Sequence, residues 1–293
     1  MTLILFPELM NQTFCMKRLA LLATLLAIAT TGFGQESGRP IPQGSSGPVI
    51  GMIPTTLNGP GFIEFDGSHS SLSNSNPSWT DAYIRGGMSF SSNTVNLEIS
   101  RQDRFGDSGW YYNGAWVHTW TDNWYTDVHL GTSTGSFFLP RFRTDVFAHR
   151  KLLPRKQLVL NVGGGYDQSR LSTSAYRLGP GAAYYFDRFP VVLEGGVTWT
   201  RSQPGSVTAR SQYVAVTEGR AKEHYLAFRA EVGQEAYEII QGQTTVFNFP
   251  IRNFSGTWRQ WLAPNWGLNF AVERDGNPYY HRLGATIGIF LDF

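Results

Sequence analysis

The end of the chain alternates without interruption. Leu283, Ala285, Ile287, Ile289, Leu291 and Phe293 share one face, and Arg282, Gly284, Thr286, Gly288, Phe290 and Asp292 the other. Upstream, Trp266, Leu268, Phe270 and Val272 oppose Gly267, Asn269, Ala271 and Glu273, and His224, Leu226, Phe228, Ala230 and Val232 oppose Tyr225, Ala227, Arg229, Glu231 and Gly233. A two-residue period places successive side chains on opposite sides, so these segments predict β-strands. Turn signals recur from residue 91 to residue 278, among them Gly106-Asp107-Ser108-Gly109, Thr121-Asp122-Asn123, Pro204-Gly205 and Asp275-Gly276-Asn277-Pro278. Strands fitted between them centre near 64, 85, 98, 115, 128, 146, 162, 180, 196, 212, 228, 256, 270 and 287. No helical period competes.

The content of the two faces selects the architecture. A soluble sandwich would carry its charges on the polar face. Here that face is mostly Gly, Ala, Thr, Asn and Ser with isolated charges of both signs, which suits a crowded, wet interior. The apolar face is aromatic near the turns, where Trp120 and Trp124 flank one turn and Trp261 and Trp266 another. Rings at strand ends with aliphatics between them are expected of the two girdles of a transmembrane barrel. The segments reach the roughly 9–11 residues that a spanning strand needs. The expectation is an all-β, antiparallel, up-and-down transmembrane β-barrel of about 14 strands, with 12 as the alternative count. Even parity puts both termini at the periplasmic rim. Pro180, in the middle of the eighth segment, removes a ladder donor and predicts a bulge.

Composition narrows the classes further. Only 16% of the 293 residues are charged, net charge is +2, and aromatics reach 14%. Near-neutrality gives no footprint for nucleic acid. No apolar run of about 18 residues lies beyond the first 35 positions, which excludes a helical membrane bundle. Met16-Lys17-Arg18 followed by the apolar stretch Leu19 to Ala29 and small residues up to Gly34 reads as a secretory signal over 1–34. Residues 1–15 fit no basic leader segment, so Met16 is the expected true initiator. The single cysteine, Cys15, lies in that part. Residues 35–59, rich in Gly, Ser and Pro, read as a flexible periplasmic tail, and 60–293 as the barrel.

Candidate chemistry is sparse. Asp127 and His129 share one face of the fifth segment, and Asp145 and His149 the inward face of the sixth. Such a group could activate water for hydrolysis, but an inward polar face also gathers acids and imidazoles as a plain hydrogen-bond network. His69-Ser70-Ser71 lacks the arrangement of the outer-membrane phospholipases. His129 and His149 without a third ligand make no metal site, and Gly163-Gly164-Gly165 precedes no helix and so binds no phosphate as a nucleotide loop. No cofactor is expected. Charges assigned to the lumen are Arg85, Glu98, Arg141, Arg143, Arg177, Glu194, Arg210, Arg229, Glu231, Arg259, Glu273 and Arg282, joined by Glu64, Asp66, Asp167 and Asp292. Both signs are nearly balanced, which fits salt-bridged rungs better than one-sign selection at a constriction.

Three stretches carry a family resemblance: Arg101-Gln102-Asp103-Arg104-Phe105-Gly106, Phe137-Phe138-Leu139-Pro140-Arg141, and the end from Trp258 to Phe293, with Trp261-Leu262-Ala263-Pro264-Asn265-Trp266-Gly267-Leu268 at its turn. Together with the succession of hairpins over about 60–293, they resemble the YaiO-type outer-membrane β-barrel proteins. The resemblance implies an integral outer-membrane barrel, and the first functional reading is a passive, porin-like transport role or a structural one in the envelope. A barrel hydrolase using Asp127, His129, Asp145 and His149 stands as the alternative, and a secreted soluble β-protein as a third reading. Implied partners are outer-membrane lipid and the outer-membrane barrel assembly machinery, with Phe293 as the assembly signal; no nucleic-acid partner is expected.

Overall fold

The computed structural model describes residues 61–240 and 244–293. The expected leader and tail lie outside the described residues. Fourteen strands follow one another without a helix: β1 (Gly61–Leu72), β2 (Trp79–Phe90), β3 (Asn93–Arg104), β4 (Asp107–Thr121), β5 (Trp124–Gly135), β6 (Pro140–Leu152), β7 (Leu158–Ser169), β8 (Ser174–Tyr185), β9 (Val191–Gln203), β10 (Val207–Arg220), β11 (His224–Ile240), β12 (Thr244–Ala263), β13 (Trp266–Gly276) and β14 (His281–Asp292). Each pairs antiparallel with its sequence neighbours, and β14 pairs with β1 to close the barrel.

Closure is continuous from Phe62↔Asp292 to Leu72↔Arg282. Gly61 and Phe293 complete it by exchanging both backbone hydrogen bonds, each at 3.0 Å. Along this seam no edge is left to pair with another chain. The turns on the rim that carries both ends are short, from Ser91-Ser92 to Pro264-Asn265. The opposite rim bears the longer connections, so it is the outer one. There β11 and β12 run on as a hairpin past their neighbours, since β10 leaves β11 at Gly233 and β13 leaves β12 at Arg252.

The lipid-facing wall is apolar because the alternate residues of every strand are. Ile84, Leu97, Val162, Leu178, Val214, Val272, Leu283 and Ile287 are all about half exposed or more. In water such a surface would aggregate; in a bilayer it is solvated by acyl chains. Trp120 and Trp124 stand on this wall at the inner rim, 61% and 43% exposed, and Trp266 lies opposite the outward Leu291. His118 also faces outward between Trp116 and Trp120, its Nδ1 2.9 Å from Asn93 Oδ1.

Pro180 does not produce a bulge. β8 keeps register with β7 through Val162↔Pro180. On the β9 side the ladder stops at Leu178↔Trp199 and resumes at Gly181↔Gly196 with no residue inserted. The missing N–H is met by a gap in the ladder, because the ring points to lipid and needs no extra room. Register shifts occur at strand ends instead, between Thr119 and Thr121, Pro140 and Phe142, and Trp261 and Ala263.

Candidate functional site: the lumen

Side chains of opposite charge pack the lumen on the side of β12–β14 and β1–β3. Glu64 and Asp66 on β1 are almost fully buried. Arg85 on β2 reaches Glu64 at 3.3 Å, Asp66 at 3.2 Å and, through Nε, Glu98 on β3 at 2.6 Å. From β12, Arg259 donates to Glu64 at 2.8 Å, and Asn269 on β13 donates to both Glu64 and Asp66 at 3.2 Å. Burying five charges is costly unless each is paired and hydrogen-bonded; here every one has an opposite partner, and of their buried polar atoms Arg85 Nη2 alone makes no hydrogen bond. Toward the outer rim, Arg282 binds Asp275 and Glu273, and Arg104 meets Asp81 at 3.5 Å. A cap of rings lies above: Trp79 packs edge-on against Phe105 (5.2 Å) and Tyr280 (6.0 Å), with Phe137 beside Phe105. At the inner end the Arg259 guanidinium lies 3.5 Å from the centre of the Phe290 ring, which is fully buried.

The other half of the lumen is less densely filled. A cavity of about 360 Å3 runs along β5–β12. Its wall alternates hydroxyls, such as Thr198, Thr200, Ser202 and Ser211, with paired charges. Arg143 donates to Asp145 at 2.7 Å, and Arg177 joins Asp145 (3.1 Å) to Asp167. Arg229 pairs with Glu231 at 3.0 Å over the Tyr213 ring, 3.8 Å from its centre. Glu194 also faces inward, half-buried. The glycine cluster has a steric reason: Phe147 and Asp145 lie across Gly163 and Gly165, where a Cβ would collide with them.

The candidate hydrolytic group resolves into two parts. Asp127 is held between His129 Nε2 (2.9 Å) and His149 Nε2, and the His149 ring stacks on Tyr125 at 4.3 Å, within 5° of parallel. Asp145 is not with them; Arg143 and Arg177 take its carboxylate. Among the described residues, no cluster of three or more His, Cys, Asp or Glu could hold a metal.

Three placements differ from the sequence reading. Arg210 is on the outer wall, not in the lumen, its guanidinium 5.9 Å from the Trp199 ring and 3.5 Å from Gln212 Oε1. It lies near the outer end of β10, where a cation on the lipid face costs little because its head reaches the interface. Arg141 is exposed at the shift between Pro140 and Phe142, which takes it out of the inward row. Trp261 points inward rather than joining a girdle. Its Nε1 donates to Asp292 at 2.8 Å and its ring meets Phe290 edge-on at 4.9 Å. Trp261 keeps the inward parity of Thr257 and Arg259, the register shift coming only after it, and its indole N–H finds an acceptor inside. Inward charges that sequence reasoning missed include Asp81, Arg104, Glu235 and Asp275. The alternation around Asp81 and Asp275 already carried the signal, since each lies two residues from an inward Tyr83 or Glu273.

A closed fourteen-strand barrel with an apolar belt, aromatic rim and ionic lumen defines an integral membrane β-barrel. A family model, the YaiO membrane beta barrel domain, matches residues 62–238. The chain belongs to the YaiO family and is an outer-membrane protein. Among solved structures it is similar to the CymD monoaromatic hydrocarbon channel, with 7% identity, 80% of this chain and 89% of that one covered, and a TM-score of 0.54. It is also similar to a bacterial polysaccharide outer membrane secretin, with 8% identity, coverage of 80% and 98%, and a TM-score of 0.50. At those identities the likeness is one of fold. No curated protein matches the sequence.

Proposed function

We propose that this barrel is a passive conduit for small polar solutes, conducting along the open β5–β12 side of its lumen. The observation that carries the reading is the cavity of about 360 Å3, whose lining pairs every inward arginine with a carboxylate and adds a wall of hydroxyls. Paired charges offer water and neutral polar solutes hydrogen bonds without binding one ion tightly, which is what passage requires. The ionic half supports the wall and narrows the path. Outer-membrane lipid around the belt, and the assembly machinery at Phe293, are the partners this reading entails.

This reading gives the Asp127 cluster a structural role. Both oxygens of Asp127 are engaged by imidazoles, and no serine, threonine or cysteine hydrogen-bonds to either ring among the described residues. Planar-bilayer recording of the refolded protein tests the conduit. Steady, voltage-insensitive conductance that falls when Ser211 is replaced by Trp supports it; a sealed bilayer at all protein concentrations refutes it.

A further inference from the structure

The side chains that the strands turn inward carry more acid than base. Arg141 and Arg210 lie outside the lumen, whereas Asp81, Glu235 and Asp275 lie in it beside the single extra base Arg104. Each of the seven arginines that face the lumen from a strand meets a carboxylate. The converse fails. Around Arg85 and Arg259 stand Glu64, Asp66 and Glu98, three acids to two bases, and Arg282 binds both Asp275 and Glu273. Two more carboxylates, Glu194 and Glu235, make no hydrogen bond or ion pair with any described residue.

These two stand toward opposite ends of one wall. Glu194 on β9 and Arg229 on β11 flank Ala215 of β10 at one level, but Arg229 turns to Glu231. Glu194 is half-buried. Toward the outer rim Glu235, paired in the ladder with Phe249, lines the cavity. It lies past Val232, after which the outward position on β11 is the polar Gln234, and so stands beyond the apolar belt. Burial pushes its carboxyl up to about 8, with Glu231 and Asp167 adding to the shift and Arg177 opposing it. Residues 236–251 of the hairpin above contain no lysine or arginine. Among the described residues, the other cations near the path stand at its rims. Lys151 lies 5.4 Å over the Tyr125 ring, Lys222 is bound to Asp292, and Arg170 in an outer turn is tied to Ser133. A wet interior tolerates unpaired charge of either sign, so hydration alone does not explain why the strands leave only carboxylates over.

We propose that the lumen admits small cations in preference to anions, with Glu194 and Glu235 as its specificity-determining residues. The inference rests on the conduit reading and names the class of solute that the conduit takes. An acid-rich lining in a narrow tube with low-dielectric walls concentrates cations and repels anions. The arginines offer an anion little, because their carboxylates already occupy them. Thr198, Thr200 and Ser211 supply hydroxyl oxygens that stand in for part of a cation's water. Among the described residues no three acids or imidazoles converge on one point, so a cation is passed on and not retained.

Two measurements on the refolded full chain, at about pH 9 where Glu235 is ionised, test cation preference and conduction separately. In the first, Cys15→Ser/Ser211→Cys leaves one thiol, in the cavity wall. Its modification is timed with a trimethylammonium-bearing and with a sulfonate-bearing thiosulfonate reagent. After division by the rates with free cysteine, the cationic reagent should react at least about threefold faster. Adding Glu194→Gln/Glu235→Gln should bring that ratio to about one, while outer-wall Arg210→Gln leaves it unchanged. In the second, the reversal potential across a planar bilayer in a potassium chloride gradient should favour potassium in the parent and far less in the carboxylate variant. Folding is checked by heat-modifiable migration. Should the double carboxylate variant fail to fold, each single Gln variant should still lower the ratio by about a third or more. An anionic reagent that reacts as fast, no reaction with either reagent, or a ratio indifferent to both carboxylates overturns the proposal. Selective modification without conductance refutes conduction alone and upholds cation preference in the lumen.

Discussion

Replacing Arg259 by Met should destabilise the barrel far more than replacing Glu64 by Gln, although the two side chains share one contact. The lattice of Glu64, Asp66 and Glu98 against Arg85 and Arg259 holds three acids and two bases. Glu64→Gln removes one acid, keeps an oxygen for Arg259 or Asn269, and leaves two of each sign. Its cost should be about that of a weakened hydrogen bond, near 1 kcal/mol. Arg259→Met loses the guanidinium over the Phe290 ring and leaves three acids around Arg85, with Glu64 only 1% exposed. An uncompensated buried carboxylate of this kind costs about 3–5 kcal/mol, and the remaining Arg85 contact favours the lower end. The double variant should recover part of the loss, because the charge that Arg259 left behind is gone. Urea unfolding in detergent, followed by tryptophan fluorescence and by the folded and unfolded bands on a gel, gives the ranking. Equal loss of midpoint in the two single variants, or no recovery in the double, would refute the charge count.

Other expectations follow from single contacts. Gly163→Leu should force Phe147 off the wall and into the cavity, lowering single-channel conductance by about half or more, while the outward Val162→Leu leaves it unchanged. Deleting Phe293 should reduce insertion into the outer membrane several-fold in cell fractionation. Asp292→Asn should insert normally yet unfold earlier by about 1–2 kcal/mol, since it weakens the contacts of Asp292 with Lys222 (2.6 Å) and Trp261; the reverse pattern would contradict the placement of the two faces of β14. His149→Ala should leave conductance steady and remove no esterase or protease activity, because the parent is expected to have none; any hydrolysis by the parent lost in this variant would reinstate the enzymatic reading.

Much of this was legible in the sequence, for identifiable reasons. Period two survives in β14 and β13 because one face meets lipid and the other a crowded lumen, so a register slip would invert both. Strand number followed from turns that need Gly, Asn, Asp and Pro. Facing was readable wherever the two faces differ, and failed where they do not. β10 puts Ala209, Ser211 and Tyr213 inside and Thr208, Arg210 and Gln212 outside, so its polarity alone assigns no side to Arg210. Trp261 shares the parity of the inward Arg259, so alternation placed it in the lumen, and only its position beside a turn suggested a girdle. The site was least legible. Arg259 and Glu64 meet across 195 positions, and only barrel closure brings them together. The pairing of Asp145 with Arg177 instead of an imidazole depends on register between three strands.

The seam between β1 and β14 has a bearing on time as well as shape. Glu64 enters with the first hairpin and Arg259 with one of the last, so their bond contributes nothing to any open sheet along the way. Up to that moment those charges stay in water and keep partial assemblies reversible. Once the ends join, the same bonds must break before the wall can part, and they break into an interior with little water to replace them. Assembly and disassembly thus pass different obstacles. The folded barrel should show hysteresis, persisting in denaturant well above the concentration that allows it to form, so its endurance in the envelope is a matter of rate more than of equilibrium.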